Sequence, residues 1–205
     1  FDWAWADAYQ RHGLAYYPKL VGAVPFTPVP GSRLLAADDA ARDVLVRAVR
    51  TLTQQQGLSS AHLLFLSDAD RAACDRAGWM LREGVQFHWQ NRVPAAYCDF
   101  DDFTRSLQRE KRKKIVQERR RVVEAGVSFE QLEGTEIDEA AWDFFYRCYT
   151  LTYRAHRSTP YLTRAFFTEV ARTMPEQWAM FIARREGERI ATSLITLDPS
   201  RRVAY

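Results

Sequence analysis

The chain has 205 residues, of which 47% are hydrophobic and 13% aromatic, and this composition excludes a disordered protein. Its 29 Lys and Arg residues nearly balance 26 Asp and Glu residues, so the net charge of +3 excludes a protein that is basic over its whole surface. Three scattered cysteines without a C-x-x-C pair argue against a zinc site or a disulfide framework and predict a reducing, cytoplasmic location. No apolar run approaches the roughly 20 residues that span a bilayer.

The first part of the chain alternates predicted helices and strands. A short aromatic helix over 1–13 precedes a series in the order β-α-β-α-β. The elements of that series are a strand over 16–26, a helix over 38–57, a strand over 61–67, a helix over 68–78 and a strand over 79–91. The stretch TPVPGSR, which follows the first strand, is typical of turns.

A single long helix is predicted over 101–126, and a second series of elements starts at Val127. This series comprises a strand over 127–134, helices over 138–157 and 163–174, and three strands within 178–205 that turn at 186–188 and 198–200. Because the series restarts, we predict two sheet systems rather than one. The chain starts at Phe1 and stops at Tyr205 in a predicted strand, so we expect it to be an interior fragment of a longer protein.

The order of elements from residue 127 resembles the opening of an acyltransferase fold of the GNAT type, and the order before residue 91 resembles its closing portion. The stretches FDWAWADAY, YYPKLVGAVPFTPVPGSRLL, LREGVQFHWQN, KRKKIVQERRRVVEAGV and YLTRAFF…MPE together resemble the FemAB-like, peptidoglycan-biosynthesis-associated family of bacterial GNAT proteins. The resemblance implies an α/β (α+β) class and a twin GNAT-like acyltransferase fold with mixed sheets flanked by helices. Residues 1–99 would close a first domain, residues 100–126 would form a connecting helix, and residues 127–205 would open a second domain.

The resemblance also implies a function. Fem relatives transfer an aminoacyl group from aminoacyl-tRNA to the peptide of a cell-wall precursor, so we expect an acyl- or aminoacyltransferase with an amine acceptor. Acyl-CoA or an acyl carrier thioester is an equally suitable donor, and no metal or tightly bound cofactor is implied. We expect a small-molecule or peptide acceptor, with tRNA as a further candidate partner and no DNA, and leave the oligomeric state open. A catalytically silent GNAT-fold scaffold and an RNA- or tRNA-binding protein stay open as alternatives.

The predicted strand over 79–91 carries candidate catalytic residues. Its alternation places one set of side chains toward a core, namely Leu81, Val85, Phe87 and Trp89, and with them Glu83. A carboxylate on an apolar face needs a partner or a raised pKa, so Glu83 is either a general base or part of a structural buried pair. The other face would line a substrate groove or simply meet solvent. We predict Glu83 and His88 as catalytic residues, and Arg82 and Gln86 as substrate-binding residues.

The turn after the first predicted strand occupies the place where GNAT domains hold a pyrophosphate with backbone N–H groups. We therefore predict a weak cofactor-binding site at Gly31, Ser32 and Arg33. The three prolines nearby, Pro25, Pro28 and Pro30, remove N–H donors, which favours the alternative that this stretch is a rigid connector.

The stretch REKRKKIVQERRR, residues 109–121, contains eight Lys or Arg and only two Glu, so its charge is concentrated on an otherwise slightly acidic chain. Continuing the helical phase from Phe103 places Lys111 and Lys114 in the same sector as Leu107 and Ile115. We predict that Lys111 and Lys114 bind a phosphate-bearing substrate in a cleft, while Arg112, Arg119 and Arg120 face solvent. The alternative is a solvated connecting helix. DNA recognition is disfavoured, because no helix-turn-helix or zinc motif accompanies the patch.

The stretch YRAHRSTPYLT, residues 153–163, closes the first helix of the second series, where a GNAT domain places its acceptor-binding loop between helices. It clusters Arg154, Arg157 and Tyr161, and two guanidinium groups beside an aromatic ring suit an anionic or sugar-bearing acceptor. We predict these three as substrate-binding residues. A polar loop between two helices is also ordinary, so a purely structural role is the alternative.

Overall fold

The structure is a computed structural model that describes residues 2–24, 27–200 and 202–204. Within these ranges it has seven α-helices and two sheets, which confirms the mixed α+β class. The chain divides into two compact units, residues 1–87 and residues 88–205. No helix in the described ranges is both long enough and apolar enough to cross a membrane.

Unit 1 is built on a short parallel strand pair. Its elements in chain order are α1 (Trp3–Arg11), β1 (Leu20–Gly22), α2 (Asp39–Gln55), β2 (Ala61–Leu63) and α3 (Asp68–Arg76). The strands β1 and β2 pair in parallel, with α2 as the connection that a parallel pair requires. The side chains of Asp38 and Ser67 accept N–H groups in the first turns of α2 and α3, so these two residues cap the helices.

The core of unit 1 lies between α2, α3 and the loop before α2. Leu34, Val46, Ala73 and Cys74 are buried there, and Val46 and Cys74 are each only 1% exposed. Leu45, Val49 and Leu63 pack around this group. The core is small, so the position of the loop before α2 depends heavily on its polar contacts.

The prediction of a strand over 79–91 is wrong. This stretch is extended, but it pairs with no strand in the described ranges, and every residue from 80 to 96 is exposed. Phe87 is 98% exposed and Val85 is 83% exposed, so neither faces a core. Alternation of apolar residues is a local signal, whereas a strand exists only where a neighbour accepts its N–H groups and donates to its C=O groups. The strand predicted over 16–26 is also shorter than expected, and its Pro25 and Phe26 lie outside the described residues.

Unit 2 is a helix-covered antiparallel sheet. Its elements are α4 (Phe100–Arg105), α5 (Arg109–Glu124), β3 (Val127–Glu133), α6 (Glu139–Ala155), α7 (Arg164–Thr173), β4 (Trp178–Arg185), β5 (Glu188–Asp198) and β6 (Val203–Ala204). The strand order is β3-β4-β5-β6, with antiparallel pairing throughout. Glu186 and Gly187 connect β4 to β5 with φ values of 54° and 84°, and a two-residue hairpin turn of type I′ requires positive φ at both positions. The prediction of two separate sheets and of this hairpin is confirmed.

The core of unit 2 is formed where α6 and α7 cover β4. Trp142 on α6 stacks on Phe167 of α7 with ring centroids 6.0 Å apart, and it meets the edge of Trp178 on β4 at the same distance. Met180 and Ile182 of β4 are fully buried beneath these rings. Burial of these large aromatic and aliphatic side chains is the main stabilising contribution in this unit.

The helix predicted over 101–126 is two helices. The Ser106 hydroxyl donates to the Phe103 carbonyl oxygen over 2.6 Å, and Leu107 N–H closes a tight turn onto Thr104 O over 3.1 Å. Gln108 then adopts an extended ψ of 144°, and α5 starts at Arg109. A serine hydroxyl that bonds a carbonyl oxygen competes with helical pairing, which explains a break at this position. The helical phase of the first segment therefore does not continue into the second.

Candidate functional site

The predicted catalytic residues lie on the exposed extended stretch rather than on two faces of a strand. Glu83 and His88 are both exposed, and neither makes a hydrogen bond or an ion pair with a described residue. Glu83 is therefore not a carboxylate on an apolar face, because its neighbours Leu81 and Val85 are exposed as well. The prediction that an apolar environment makes Glu83 a general base is wrong, because Glu83 is exposed.

Two predicted substrate-binding residues hold this stretch against the rest of unit 1. The Arg82 guanidinium lies over the Trp5 ring, with its carbon 4.6 Å from the ring centroid. The Gln86 side-chain amide donates to Pro28 O over 3.0 Å. Both side chains are thus engaged in contacts within the unit, which gives them a structural role alongside any contact with substrate.

The loop at Gly31, Ser32 and Arg33 is organised by Asp70 of α3, which is fully buried. The Asp70 carboxylate accepts the N–H of Arg33 over 2.5 Å and the N–H of Leu34 over 3.2 Å, and the Ser32 hydroxyl lies 3.2 Å from the same oxygen. Gly31 N–H donates to Phe65 O. The N–H groups of this loop are therefore already bonded within the protein, to the Asp70 carboxylate and to Phe65 O, and are not available to a phosphate.

Asp70 remains a carboxylate despite its burial. Burial alone would raise the pKa of Asp70, but the two backbone N–H groups, the Arg42 guanidinium and the Ser32 hydroxyl outweigh it and lower the pKa. The Arg42 Nε atom lies 3.0 Å from the carboxylate. The Arg33 guanidinium is also used internally, because its Nε donates to Leu64 O over 2.8 Å.

Three basic residues of α5, Lys111, Arg112 and Lys114, lie differently from the prediction. Lys111 and Lys114 are exposed, and Lys114 Nζ lies 3.8 Å from Glu118 Oε1. Arg112 is half-buried and its guanidinium donates to Arg105 O over 3.3 Å, while Arg119 lies over the Phe100 ring at 4.4 Å. The prediction that Lys111 and Lys114 face inward is wrong, and so is the prediction that Arg112 faces solvent, because the break before Arg109 resets the helical phase. Arg119 and Arg120 are exposed, as predicted.

A column of tyrosines leads from the unit 2 core to the predicted acceptor loop. Tyr149 contacts the buried Phe167, its ring lies 4.8 Å from that of Tyr153, and Tyr153 meets the edge of Tyr161 at 5.4 Å. The Tyr149 hydroxyl accepts the N–H of Leu162 over 3.3 Å, which fixes the loop after α6. Burial, reinforced by the hydrogen bond with Tyr149, raises the pKa of Tyr153 to about 12. Tyr153 therefore stays a neutral phenol at physiological pH.

The predicted acceptor residues surround the outer end of this column. Tyr161 is 48% exposed, and Arg154 and Arg157 are exposed on the last turn of α6 and just after it. Arg157 has a φ of 55°, so the chain reverses there and leads into the segment that carries Tyr161. The structure thus brings together a fixed aromatic ring and two exposed cations, an arrangement that suits an anionic ligand with a flat or apolar part.

A buried polar network in unit 1 was not anticipated from the sequence. The Lys19 side chain is only 3% exposed, and its ammonium lies 3.4 Å from Asp2 Oδ2, 3.3 Å from His62 Nε2 and 3.3 Å from the centroid of the Tyr16 ring. The Tyr16 hydroxyl donates to the same Asp2 oxygen over 2.7 Å. Because Lys19 has only protons to offer, His62 accepts through Nε2 and is neutral. The sequence offered one signal for this network, namely that Lys19 begins the otherwise apolar stretch KLVGAV. A lysine that is buried with such a stretch requires a partner.

Burial and the contacts within this network shift the pKa values of His62, Tyr16 and Asp2. Burial lowers the pKa of His62, and the positive charge of Lys19 lowers it further. Burial raises the pKa of Tyr16 to about 12, with the hydrogen bond to Asp2 as the next cause. Burial would raise the pKa of Asp2, but the contacts with Tyr16 and Lys19 lower it on balance. No cluster of three or more His, Cys, Asp or Glu side chains that could hold a metal occurs among the described residues.

Comparison with known families gives one match that extends over nearly the whole chain. The model of the FemAB-like family, described as peptidoglycan biosynthesis/recognition, matches residues 1–201. This match confirms the resemblance inferred from the sequence stretches. No curated protein shows significant similarity to the chain.

Proposed function

Because this chain belongs to the FemAB-like family, we propose that it transfers an acyl or aminoacyl group to an amine of a peptidoglycan-precursor peptide. The family is tied to peptidoglycan biosynthesis, and the transfer reaction, the donor and the acceptor are our proposal. The observation that carries the proposal is the coverage of residues 1–201 by the family model. A twin GNAT-type architecture in the cytoplasm, where aminoacyl-tRNA and acyl thioesters are made, is part of the same proposal.

The acceptor site that we propose is the end of α6. The guanidinium groups of Arg154 and Arg157 would bind carboxylate or phosphate groups of the precursor, and Tyr161 would stack on its sugar or peptide part. The tyrosine column supports this role, because it holds Tyr161 against the core and reduces the entropy that is lost on binding.

The reaction that we propose needs no covalent enzyme intermediate. The acceptor nitrogen attacks the acyl carbon, the ester or thioester bond of the donor breaks, and the proton lost by the amine passes to the departing hydroxyl or thiol. Positioning of the two substrates would supply most of the acceleration. The exposed lysines of α5, Lys111 and Lys114, would attract the phosphates of the donor, with the strong salt dependence of such contacts.

The experiment combines binding with product detection. Aminoacyl-tRNA, acyl-CoA and a nucleotide-linked precursor are added separately and together, and a ligand that binds the native state raises the melting temperature. Transfer is then measured as the mass added to the precursor peptide. Arg157→Gln should raise KM for the precursor without lowering the melting temperature. Arg172→Gln, which removes an exposed arginine paired with Glu169 on α7, should leave KM unchanged.

Two outcomes would contradict transfer. Precursor binding without product from any donor would indicate a catalytically silent binding module. Binding of tRNA that gives no product and vanishes at high salt would indicate an RNA-binding protein that uses the exposed basic surface of α5.

A further inference from the structure

A cavity lies in unit 2 between α6 and the hairpin that joins β4 to β5. Its volume is about 590 Å³, within the range of small-molecule sites. Three guanidinium groups line it, from Arg147 on α6, Arg184 on β4 and Arg189 on β5. Three arginines from three different elements converge on a space that neither the sequence stretches nor the family description assigns to a ligand.

Two carboxylates, those of Asp143 and Glu188, also line the cavity. One of the three arginines and one of these two carboxylates are already paired within the protein. Arg184 donates through Nε to Glu130 Oε2 over 2.9 Å, its Nη2 atom lies 2.8 Å from the same oxygen, and its Nη1 donates to Gly187 O. Asp143 lies at the cavity wall, and its Oδ1 accepts Arg164 Nε over 2.8 Å. The charges of Arg184 and Asp143 are therefore compensated without a ligand.

The remaining two arginines have no counter-ion in the described part of the chain. Arg147 lies over the Phe144 ring at 5.1 Å, and neither Arg147 nor Arg189 has a carboxylate within 4.0 Å among the described residues. Arg189 is half-buried, so part of its guanidinium hydration is already lost. A half-buried guanidinium without an anion gains more from an incoming oxyanion than a fully solvated one does.

The charge of the lining selects among anions. Glu188 also lines the cavity and has no ion-pair partner among the described residues. Two free guanidinium groups and one free carboxylate leave a single positive charge, which matches a monoanion and disfavours a phosphate dianion beside Glu188. Ala140 and Phe144 provide an apolar wall for the part of the ligand next to its charge.

We propose that this cavity binds the carboxylate of an amino acid or peptide between Arg147 and Arg189. Bidentate pairing of a guanidinium with a planar carboxylate is the strongest contact available there. An ammonium group of the same ligand would meet Glu188. The site is separate from the end of α6, because Arg154 lies seven residues after Arg147 on the same helix, which corresponds to about 10 Å along its axis. Binding at this cavity depends on the unpaired charges of its lining and does not require acyl transfer.

The test is an NMR titration of the 205-residue chain with N-acetyl-alanyl-alanine, whose only charge is its carboxylate, and with its C-terminal amide. Binding is followed at the amide signals of Gly187 and Arg189. The free acid should bind and the amide should not. Arg147→Gln and Arg189→Gln should each weaken binding by roughly fivefold to tenfold, as expected for the loss of one charge-assisted pair.

The control removes the same charge from the same hairpin. Arg185→Gln alters a neighbouring side chain on β4 that does not line the cavity, and it should leave the affinity unchanged. Arg189→Lys should retain part of the affinity, which separates a charge effect from misfolding. Equal binding of acid and amide, or an equal loss in Arg185→Gln, would overturn the proposal. Inorganic phosphate that binds more tightly than the peptide acid would refute the assignment to a carboxylate.

Discussion

Replacing Asp70 by Asn tests whether the buried Asp70 carboxylate holds the loop before α2 in place. The carboxylate is fully buried and accepts from Arg33 N–H, Leu34 N–H and Arg42 Nε, and the asparagine amide offers one oxygen where the carboxylate offers two. The substitution also leaves the Arg42 guanidinium with only the exposed Asp39 carboxylate as a partner. Breaking a buried ion pair in this way costs about 3–5 kcal/mol. That loss is a large part of the roughly 5–15 kcal/mol that stabilises a typical domain.

The assay is chemical denaturation followed by circular dichroism, with hydrogen exchange of the segment over 31–35 as a readout local to unit 1. Asp75→Asn is the matched control, because Asp75 lies on the same helix, is exposed and makes no side-chain hydrogen bond with a described residue. We expect faster exchange over 31–35 in Asp70→Asn and wild-type exchange in Asp75→Asn. A loss below about 1 kcal/mol, the range of an ordinary surface change, would refute the buried-pair argument.

The same carboxylate makes the stability of unit 1 depend on pH. The folded pKa of Asp70 lies below its ordinary value of 3.8, so its contribution is fully present above that value. It declines as the pH falls below 3.8 and through the lower folded pKa. Asp70→Asn should therefore flatten the acid limb of the stability curve, and an unchanged acid limb would contradict this assignment.

The other predictions concern the buried lysine and the unit 2 core. Lys19→Met should raise the pKa of His62, because it removes the nearby positive charge that adds to burial in lowering that pKa; an NMR titration that shows no change would contradict the contact. Trp142→Ala should lower the free energy of unfolding by about 3–5 kcal/mol, since this side chain is only 2% exposed. Phe166→Ala on the neighbouring helix, where the side chain is 39% exposed, should cost much less in the same denaturation assay.

Three helix starts and the β4–β5 hairpin could be predicted because their causes are local. Asp38 and Asp138 each accept an N–H three residues ahead over 2.7 Å, and Thr163 does the same for Phe166 over 3.3 Å. An N-cap side chain reaches the backbone N–H three residues ahead through local helix geometry, so this hydrogen bond does not depend on the rest of the fold. The family resemblance was equally accessible, because it rests on stretches of sequence and not on contacts.

The site was only partly accessible from sequence. Arg154, Arg157 and Tyr161 were predicted together, and they lie at one end of α6 because they are close in the chain. The network around Lys19 was missed, because Lys19 and His62 are 43 residues apart and meet only through the pairing of β1 with β2. The cavity between α6 and the β4–β5 hairpin was missed for the same reason.

The sequence by itself determined the family, the mixed α+β class, the two sheets and the helix boundaries that have local caps. Tertiary structure decided whether the alternating stretch 79–91 is a strand, because pairing requires a neighbour that alternation cannot supply. It also decided which basic side chains of α5 face solvent, because a three-residue break changes the helical phase. Burial of Asp70 and of Lys19 depends on the packing of distant segments around them, and their pKa shifts and partners follow from that packing.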